Sequence, residues 1–490
     1  MTKSQASEGS PRAPVFVSGF CTAEARPYVL FAAILATALG LIDGHVVAIT
    51  LPAMRGSLGA DLVEAQWIHN AYMLTLSALI LTGGALGDRF GLTRVFGGGI
   101  ALFVLASACC ALAPTPVTMI AARTVQGVGA AIVVPGSLAL IARAYPREER
   151  GRAIGIWAAA SALTTALGPI LGGLTLTFGG PEMWRAIFAI NLPLGGIALW
   201  VLWRKVGTDP ARADTGIDLA GAATATAGLL MLAWGLTQAG HEGNNAASWI
   251  SAGVAMLGLF LWTQARGTHP MMPLSLFASR TFSAANLMTF FLYGALSMMF
   301  FFMPMTFIAG WGMSEIAVSA VFAPMSVFIA VLSARAGRLA DRIGPAPFLA
   351  IGSALTALGY GVMGLLAQAQ NLWGHMLPAM CIVGLGMALV VAPLSTAVMT
   401  AAREEQSGIA SGINNAVTRM AALICVAAVG GLMAHLYDRA GGLASFGVLS
   451  DSVGHASAMT AAFTGLAYVA TALCLLSAFI AAVCLRKPVG

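Results

Sequence analysis

The chain predicts an all-α integral membrane protein with fourteen transmembrane helices: two six-helix bundles and two extra central helices. Three observations lead there. Of 490 residues, 58% are hydrophobic and 9% charged, and the mean hydropathy is +0.85, against roughly 25% charged in an ordinary soluble domain. A bilayer core of about 30 Å takes about 20 apolar residues per helix, and that yardstick counts fourteen runs. The segment Gly84-Ala85-Leu86-Gly87-Asp88-Arg89-Phe90-Gly91 recurs in outline as Gly337-Arg338-Leu339-Ala340-Asp341-Arg342-Ile343-Gly344, each copy closing a long apolar run. One copy is weak evidence, but two in matching positions indicate a duplicated membrane protein.

The elements follow in order. Residues 1–27 form a polar tail without a short apolar core before a cleavage site, so no removable signal peptide is expected and the first span serves as its own insertion signal. Residues 28–204 make the N-terminal bundle, with spans near 28–52, 65–87, 95–113, 117–142, 153–177 and 184–203. The linker, residues 205–265, adds spans 217–238 and 248–264. Residues 266–485 make the C-terminal bundle, with spans 282–308, 316–336, 346–367, 374–399, 408–434 and 459–485, and 486–490 are a short tail. The motif copies start 253 residues apart. Six spans usually fill about 180–200 residues, so the surplus is about two helices, which the linker supplies.

With both termini inside, 20 of the 25 Lys and Arg fall on cytoplasmic segments, three outside (Arg55, Arg185, Arg439) and two within spans (Arg123, Arg419). That asymmetry follows the positive-inside rule and places the chain in the cytoplasmic (inner) cell membrane. The pI of about 9.1 does not signal nucleic acid, because the basic residues are scattered singly between apolar runs. Seven cysteines lack metal-ligand spacing; Cys109, Cys110, Cys381, Cys425, Cys474 and Cys484 fall in apolar runs and read as small core residues. No metal site, cofactor or catalytic constellation is expected: the histidines are dispersed, and no HExxH, nucleophile triad or phosphate-cradling glycine loop with Lys occurs. The chain is therefore not an enzyme, and without an ATP site any pumping draws on an ion gradient. The sequence sets no oligomeric state and is compatible with a monomer.

Further motifs are Leu41-Ile42-Asp43-Gly44-His45-Val46-Val47-Ala48-Ile49-Thr50-Leu51-Pro52 in the first span, Arg123-Thr124-Val125-Gln126-Gly127-Val128-Gly129-Ala130 in the fourth, Gly168-Pro169-Ile170-Leu171-Gly172-Gly173 in the fifth and Trp184-Arg185-Ala186-Ile187-Phe188-Ala189-Ile190-Asn191-Leu192-Pro193 opening the sixth. Together with the repeated loops, they resemble the major facilitator superfamily over nearly the whole chain, in particular its fourteen-span drug:proton antiporters of the EmrB/QacA type. The resemblance implies the major facilitator fold and export of small, lipophilic drugs or toxic compounds by proton antiport. His45 and Ala48 stand where members commonly carry Thr and Asn, and Pro345 follows Gly344 where a basic residue is usual.

A carboxylate well inside a span is costly, and Asp43 is the one acidic residue placed there. It reads as a proton site, whose affinity burial raises and a nearby cation lowers; the alternative is a permanent structural pair with an arginine. Arg123 is the natural partner by depth: Asp43 precedes Pro52 by nine residues and Arg123 follows Pro116 by seven. The resemblance implicates this arginine in proton transfer, and Gln126 shares its helical face.

His45 lies about 200° around the helix from Asp43, so rather than a second proton carrier it reads as packing or as a hydrogen bond to a neighbouring helix. The cavity candidates are His45, Gln126, Asn414, Asn415, Arg419 and Tyr293; Arg419 could counter an anionic group or serve as a structural bond between helices. Trp67, Tyr72, Phe290, Phe291, Phe300, Phe301 and Phe302 supply aromatic surface for a lipophilic substrate or for packing. In the two loops, Gly84, Asp88, Arg89, Gly91 and Gly337, Asp341, Arg342, Gly344 are expected to gate the cytoplasmic side, with Asp88 and Asp341 accepting from helix N-terminal amides and neighbouring arginines. Gly168, Pro169, Gly172 and Gly173 form what the resemblance implies is the antiporter motif, or a plain small-residue packing face. Expected partners are the lipid bilayer, a small-molecule substrate and protons. A dedicated exporter of one metabolite, lipid or antibiotic is the alternative; a transport-inactive scaffold or sensor is the third reading.

Overall fold

The computed structural model describes residues 21–207, 209, 216–239, 245–403 and 406–485, the side chains of His45, Arg147, Ala162 and Ala166 apart. The expectations for the tails at 1–20 and 486–490 and for the His45 side chain lie outside the described residues.

In chain order the helices are α1 (Arg26–Leu58), α2 (Leu62–Phe90), α3 (Leu92–Leu112), α4 (Pro116–Ala144), α5 (Arg147–Gly179), α6 (Trp184–Ala189) and α7 (Asn191–Lys205), then α8 (Leu219–Gln238) and α9 (Ala246–Arg266). The second half has α10 (Arg280–Met305), α11 (Glu315–Ile343), α12 (Ala346–Leu366), α13 (Leu377–Thr400), α14 (Ser407–Arg439) and α15 (His455–Cys484). With α6 and α7 sharing one span, fourteen helical segments among the described residues are long and apolar enough to cross a membrane.

Local chemistry sets the helix ends. Asp61 begins α2 with a capping box, its Oδ1 accepting the Glu64 amide at 2.7 Å while Glu64 Oε2 accepts the Asp61 amide at 3.0 Å. Thr115 caps α4 just ahead of Pro116 at its first turn. The two repeated loops end their helices identically: Gly91 closes α2 at φ +94° and Gly344 closes α11 at φ +92°, a backbone region that favours glycine. Pro52 does not end the first span as the sequence suggested; it lies inside α1, which runs on to Leu58. Bilayer helices tolerate an internal proline because neighbours re-satisfy the freed carbonyl.

Packing divides the chain into two bundles, α1–α7 and α10–α15, with α8 and α9 paired beside them. The bundles meet along two seams, α2 against α14 and α5 against α11. The linker helix α8 lies on both α2 and α14, where Trp234 meets Trp67 at a ring separation of 5.4 Å. The C-terminal core is rich in Met and Phe, with Met298, Met299, Phe301, Phe302 and Phe307 fully buried. The expectation of core cysteines fails at Cys109, which is exposed while Cys110 is buried. Adjacent positions on a helix are about 100° apart, which here turns Cys110 inward and Cys109 to the outer face of α3.

Candidate functional site

Asp43 and Arg123, on α1 and α4, meet in the interior of the N-terminal bundle. Arg123 Nη1 donates to Asp43 Oδ2 at 2.5 Å and to Gln126 Oε1 at 2.6 Å, and its Nε donates to the Ile68 carbonyl at 3.1 Å. Gln126 Nε2 donates to Asp43 Oδ1 at 3.1 Å and to Ser107 Oγ at 2.9 Å, and Asn191 Nδ2 donates to the same hydroxyl at 3.2 Å. The Arg123 guanidinium also lies 4.3 Å from the Tyr72 ring centre, a favourable face for a cation. Both charged side chains are shut off from solvent, at 1% exposure or less. Such a pair is retained against a desolvation cost because each charge has several partners. Arg123 Nη2 and Asn191 Oδ1 have none among the described residues.

Beside this cluster lies a cavity of about 1320 Å³ between the bundles, lined from mid-helix positions such as His69, Phe301 and Met325 to the helix ends at Asp88, Met399 and Ser407. Tyr72 separates the two, lining the cavity and carrying Arg123 behind it. Of the cavity candidates, Tyr293, Asn414, Asn415 and Arg419 line it; Gln126 does not, being held in the Asp43 cluster. Asn414 Nδ2 donates to Asn286 Oδ1 at 3.1 Å and Thr289 Oγ1 at 3.0 Å, while Asn415 is turned to the Ser411 carbonyl. The aromatic wall comes from Tyr72, Tyr293, Phe300 and Phe301, whereas Trp67 packs on the linker and Phe302 is buried against Phe446.

At the face opposite Asp88 the bundles are tied together. Arg55, 2% exposed, donates through Nη1 to the Phe446 carbonyl and through Nη2 to Ser445 Oγ at 3.3 Å, joining the end of α1 to the α14–α15 loop. In the α5–α11 seam, Ser319 Oγ donates to the Pro169 carbonyl at 2.7 Å. A Cβ on Gly173 would fall 2.4 Å from Ser319 Oγ and 2.9 Å from the Glu315 carbonyl, so this glycine sets how closely the helices approach. Gly172 rests against Val46, Ile49 and Thr50 of α1, and Gly168 and Pro169 are buried.

The Asp88 face is organised differently from what the sequence suggested. Asp88 Oδ1 accepts from Arg143 Nη2 at 2.5 Å, but the amides that begin α3 are taken by Asp209: Leu92 N and Thr93 N both donate to its carboxylate at 2.8 Å, and Arg143 Nη1 donates to it at 2.9 Å. Burial raises the Asp209 carboxyl, but the backbone amides of Thr93 and Leu92 together outweigh it and hold its pKa below the usual carboxylate range. Asp341 and Arg342 are exposed and make no hydrogen bond or ion pair with the described residues. Arg89 lies over the ring of Phe90. Reasoning from sequence missed Asp209, Arg55, Ser107, Asn191 and His69. Arg55 left a signal, a basic residue on the side where few occur; Asp209 left only its position as an acid among the basic residues after the sixth span.

The helical fold, the seam-split bundles and the buried ion pair define a membrane transporter class. The family model described as Major Facilitator Superfamily matches residues 33–426, and the chain belongs to that superfamily. Among its relatives, the tetracenomycin C resistance and export protein of Streptomyces glaucescens is 32% identical, covering 82% of this chain and 75% of that one. The methylenomycin A resistance protein of Bacillus subtilis (strain 168) is 30% identical, covering 83% and 87%. The fold is similar to that of a bacterial homologue of the human lysosomal transporter Spinster, solved inward-facing and occupied, with a TM-score of 0.67, 14% identity and coverage of 95% and 100%. The chain is thus a multi-pass cell-membrane transporter of small molecules.

Proposed function

We propose that this protein exports small, lipophilic molecules from the cytoplasm in exchange for protons. Asp43 carries the proton, Arg123 tunes its affinity, and the bundles at 28–204 and 266–485 rock about the cavity while residues 205–265 follow as a linker. The observation that carries this reading is the buried Asp43–Arg123–Gln126 cluster behind one wall of a cavity that runs from mid-helix to the helix ends at the Asp88 face. The Asp88 face is taken as cytoplasmic, supported by the placement of 20 of the 25 basic residues on that side. The cavity then faces inward in this conformation, the Arg55 and Gly173 contacts close the outer side, and the Asp88 and Asp341 loops close the inner side in the alternate state. A proton crossing 100 mV is worth about 2.3 kcal/mol, enough for about fiftyfold accumulation of cargo.

The test is transport in everted membrane vesicles. Asp43→Asn should insert normally, bind cargo and lose proton-driven efflux; normal coupled efflux in that variant would remove the reading. A narrower version, a dedicated exporter of one compound class, is favoured by the naming of both quoted relatives for a single antibiotic. A chemically diverse substrate panel separates the two.

A further inference from the structure

Among the described residues three carboxylate or guanidinium groups line the cavity, and two are already matched. Asp88 lies at the open end and is held by Arg143; Asp218, also at that end, accepts from the Gly221 amide at 2.7 Å, from Gln264 Nε2 at 2.5 Å and from the Met271 amide at 3.5 Å. Arg419 is the third. It projects from the middle of α14 into the cavity, half-buried, and has no hydrogen-bond or ion-pair partner among the described residues. A cation held in low-dielectric surroundings without a counter-ion attracts a negative group strongly and repels a positive one.

The rest of the wall suits the other end of such a ligand. His69, on α2 of the opposite bundle, lines the cavity with its ring 5.3 Å from that of Phe301, and Tyr72, Tyr293, Phe300 and Phe301 offer flat apolar surface beside the guanidinium.

We propose that the cargo of this cavity is an amphipathic organic anion, an acidic head such as a carboxylate or phenolate on a flat apolar body, with Arg419 binding the head and the aromatic wall holding the body. The inference rests on the export reading and narrows its substrate class. A lipophilic cation finds no unpaired carboxylate among the described residues that line the cavity and meets the charge of Arg419 instead.

The test uses one fluorescent body with three charges: pyrenebutanoate, its neutral methyl ester, and the matching pyrenyl trimethylammonium. Binding is titrated on purified full-length protein in detergent, where proton coupling plays no part. Wild type should bind the carboxylate at least tenfold more tightly than the ammonium compound. Arg419→Gln should weaken carboxylate binding by about ten- to a hundredfold, the range of a charge-assisted hydrogen bond, and leave the methyl ester unchanged, while Arg419→Lys restores part of the loss. Equal or tighter binding of the cation, or equal loss of the ester and the carboxylate in Arg419→Gln, overturns the proposal. Failure of the export reading shows separately, as proton-driven efflux that survives Asp43→Asn.

Discussion

Each bundle places one arginine within a span, and their surroundings are opposite. Arg123 of the N-terminal bundle is fully buried, stacked on Tyr72 and bonded to Asp43, Gln126 and the Ile68 carbonyl. Arg419 of the C-terminal bundle stands at the cavity wall without a partner among the described residues. The loops repeat the contrast: the Asp88 loop is tied to Arg143 and, through it, to Asp209, while Asp341 is exposed and bonds none of the described residues. Duplication has left the backbone alike, down to the positive φ of Gly91 and Gly344, and the polar chemistry different. The N-terminal half concentrates a closed charge network suited to holding a proton, and the C-terminal half offers an open charge suited to meeting cargo. Among the described residues Asp88 bonds only Arg143 of its own bundle, and through it reaches Asp209 at the linker start, so it ties nothing across the cavity in this conformation.

The largest expected effect breaks the arginine comparison if it fails. Arg123→Ala leaves a buried carboxylate and Gln126 without their main partner, and removing one member of a buried pair costs about 3–5 kcal/mol. Arg419→Ala removes a group with no partner to strand and should change stability by less than about 0.5 kcal/mol. Thermal unfolding of the purified variants should therefore separate them widely, and the double variant Asp43→Asn with Arg123→Met should recover part of the loss without restoring coupling. Comparable destabilisation by both alanines would mean that Arg419 is as structural as Arg123.

That contrast also marks what was legible in the sequence. The spans could be counted because each is an apolar run of bilayer length, and Asp43 with Arg123 could be paired because charge inside hydrocarbon demands a partner. Gln126 was assigned to the cavity because a one-dimensional reading gives a helical face but not what lies behind it; the face is filled by Asp43 and Ser107. Asp209 was missed because its function comes from where the chain returns after 116 residues, beside the α3 amides, and no local pattern encodes that meeting. His69 was missed because a histidine in a long apolar helix is as compatible with packing as with a cavity.

A smaller effect sharpens the loop comparison. Asp209 neutralises the N-terminal amides of α3, and Asp209→Ala should cost about 1 kcal/mol, as loss of a helix cap does. Its carboxyl is held below the ordinary range in the folded protein, so its stabilisation is complete above the unfolded value of about 4 and is lost as pH falls through the lower folded value. The melting-temperature gap between wild type and Asp209→Ala should stay constant from about pH 7 to pH 5 and shrink toward zero in stronger acid. A gap that widened on acidification would show that the folded protein favours the protonated acid.

The smallest effect distinguishes the two repeats. The Asp88–Arg143 contact is partly exposed, with side-chain exposures of 50% and 27%, so Asp88→Asn should lower stability by no more than about 1 kcal/mol. Asp341→Asn has no bond to lose among the described residues and should leave the melting temperature within error. Transport should order them differently, because a residue idle in this conformation still has a role if the face that carries it closes around it: both substitutions should slow efflux. The informative measurement is then the ratio of the two effects for each variant. A latch used only in the alternate state lowers turnover without lowering the stability of the resting one, and Asp341 should show that signature while Asp88 shows both losses.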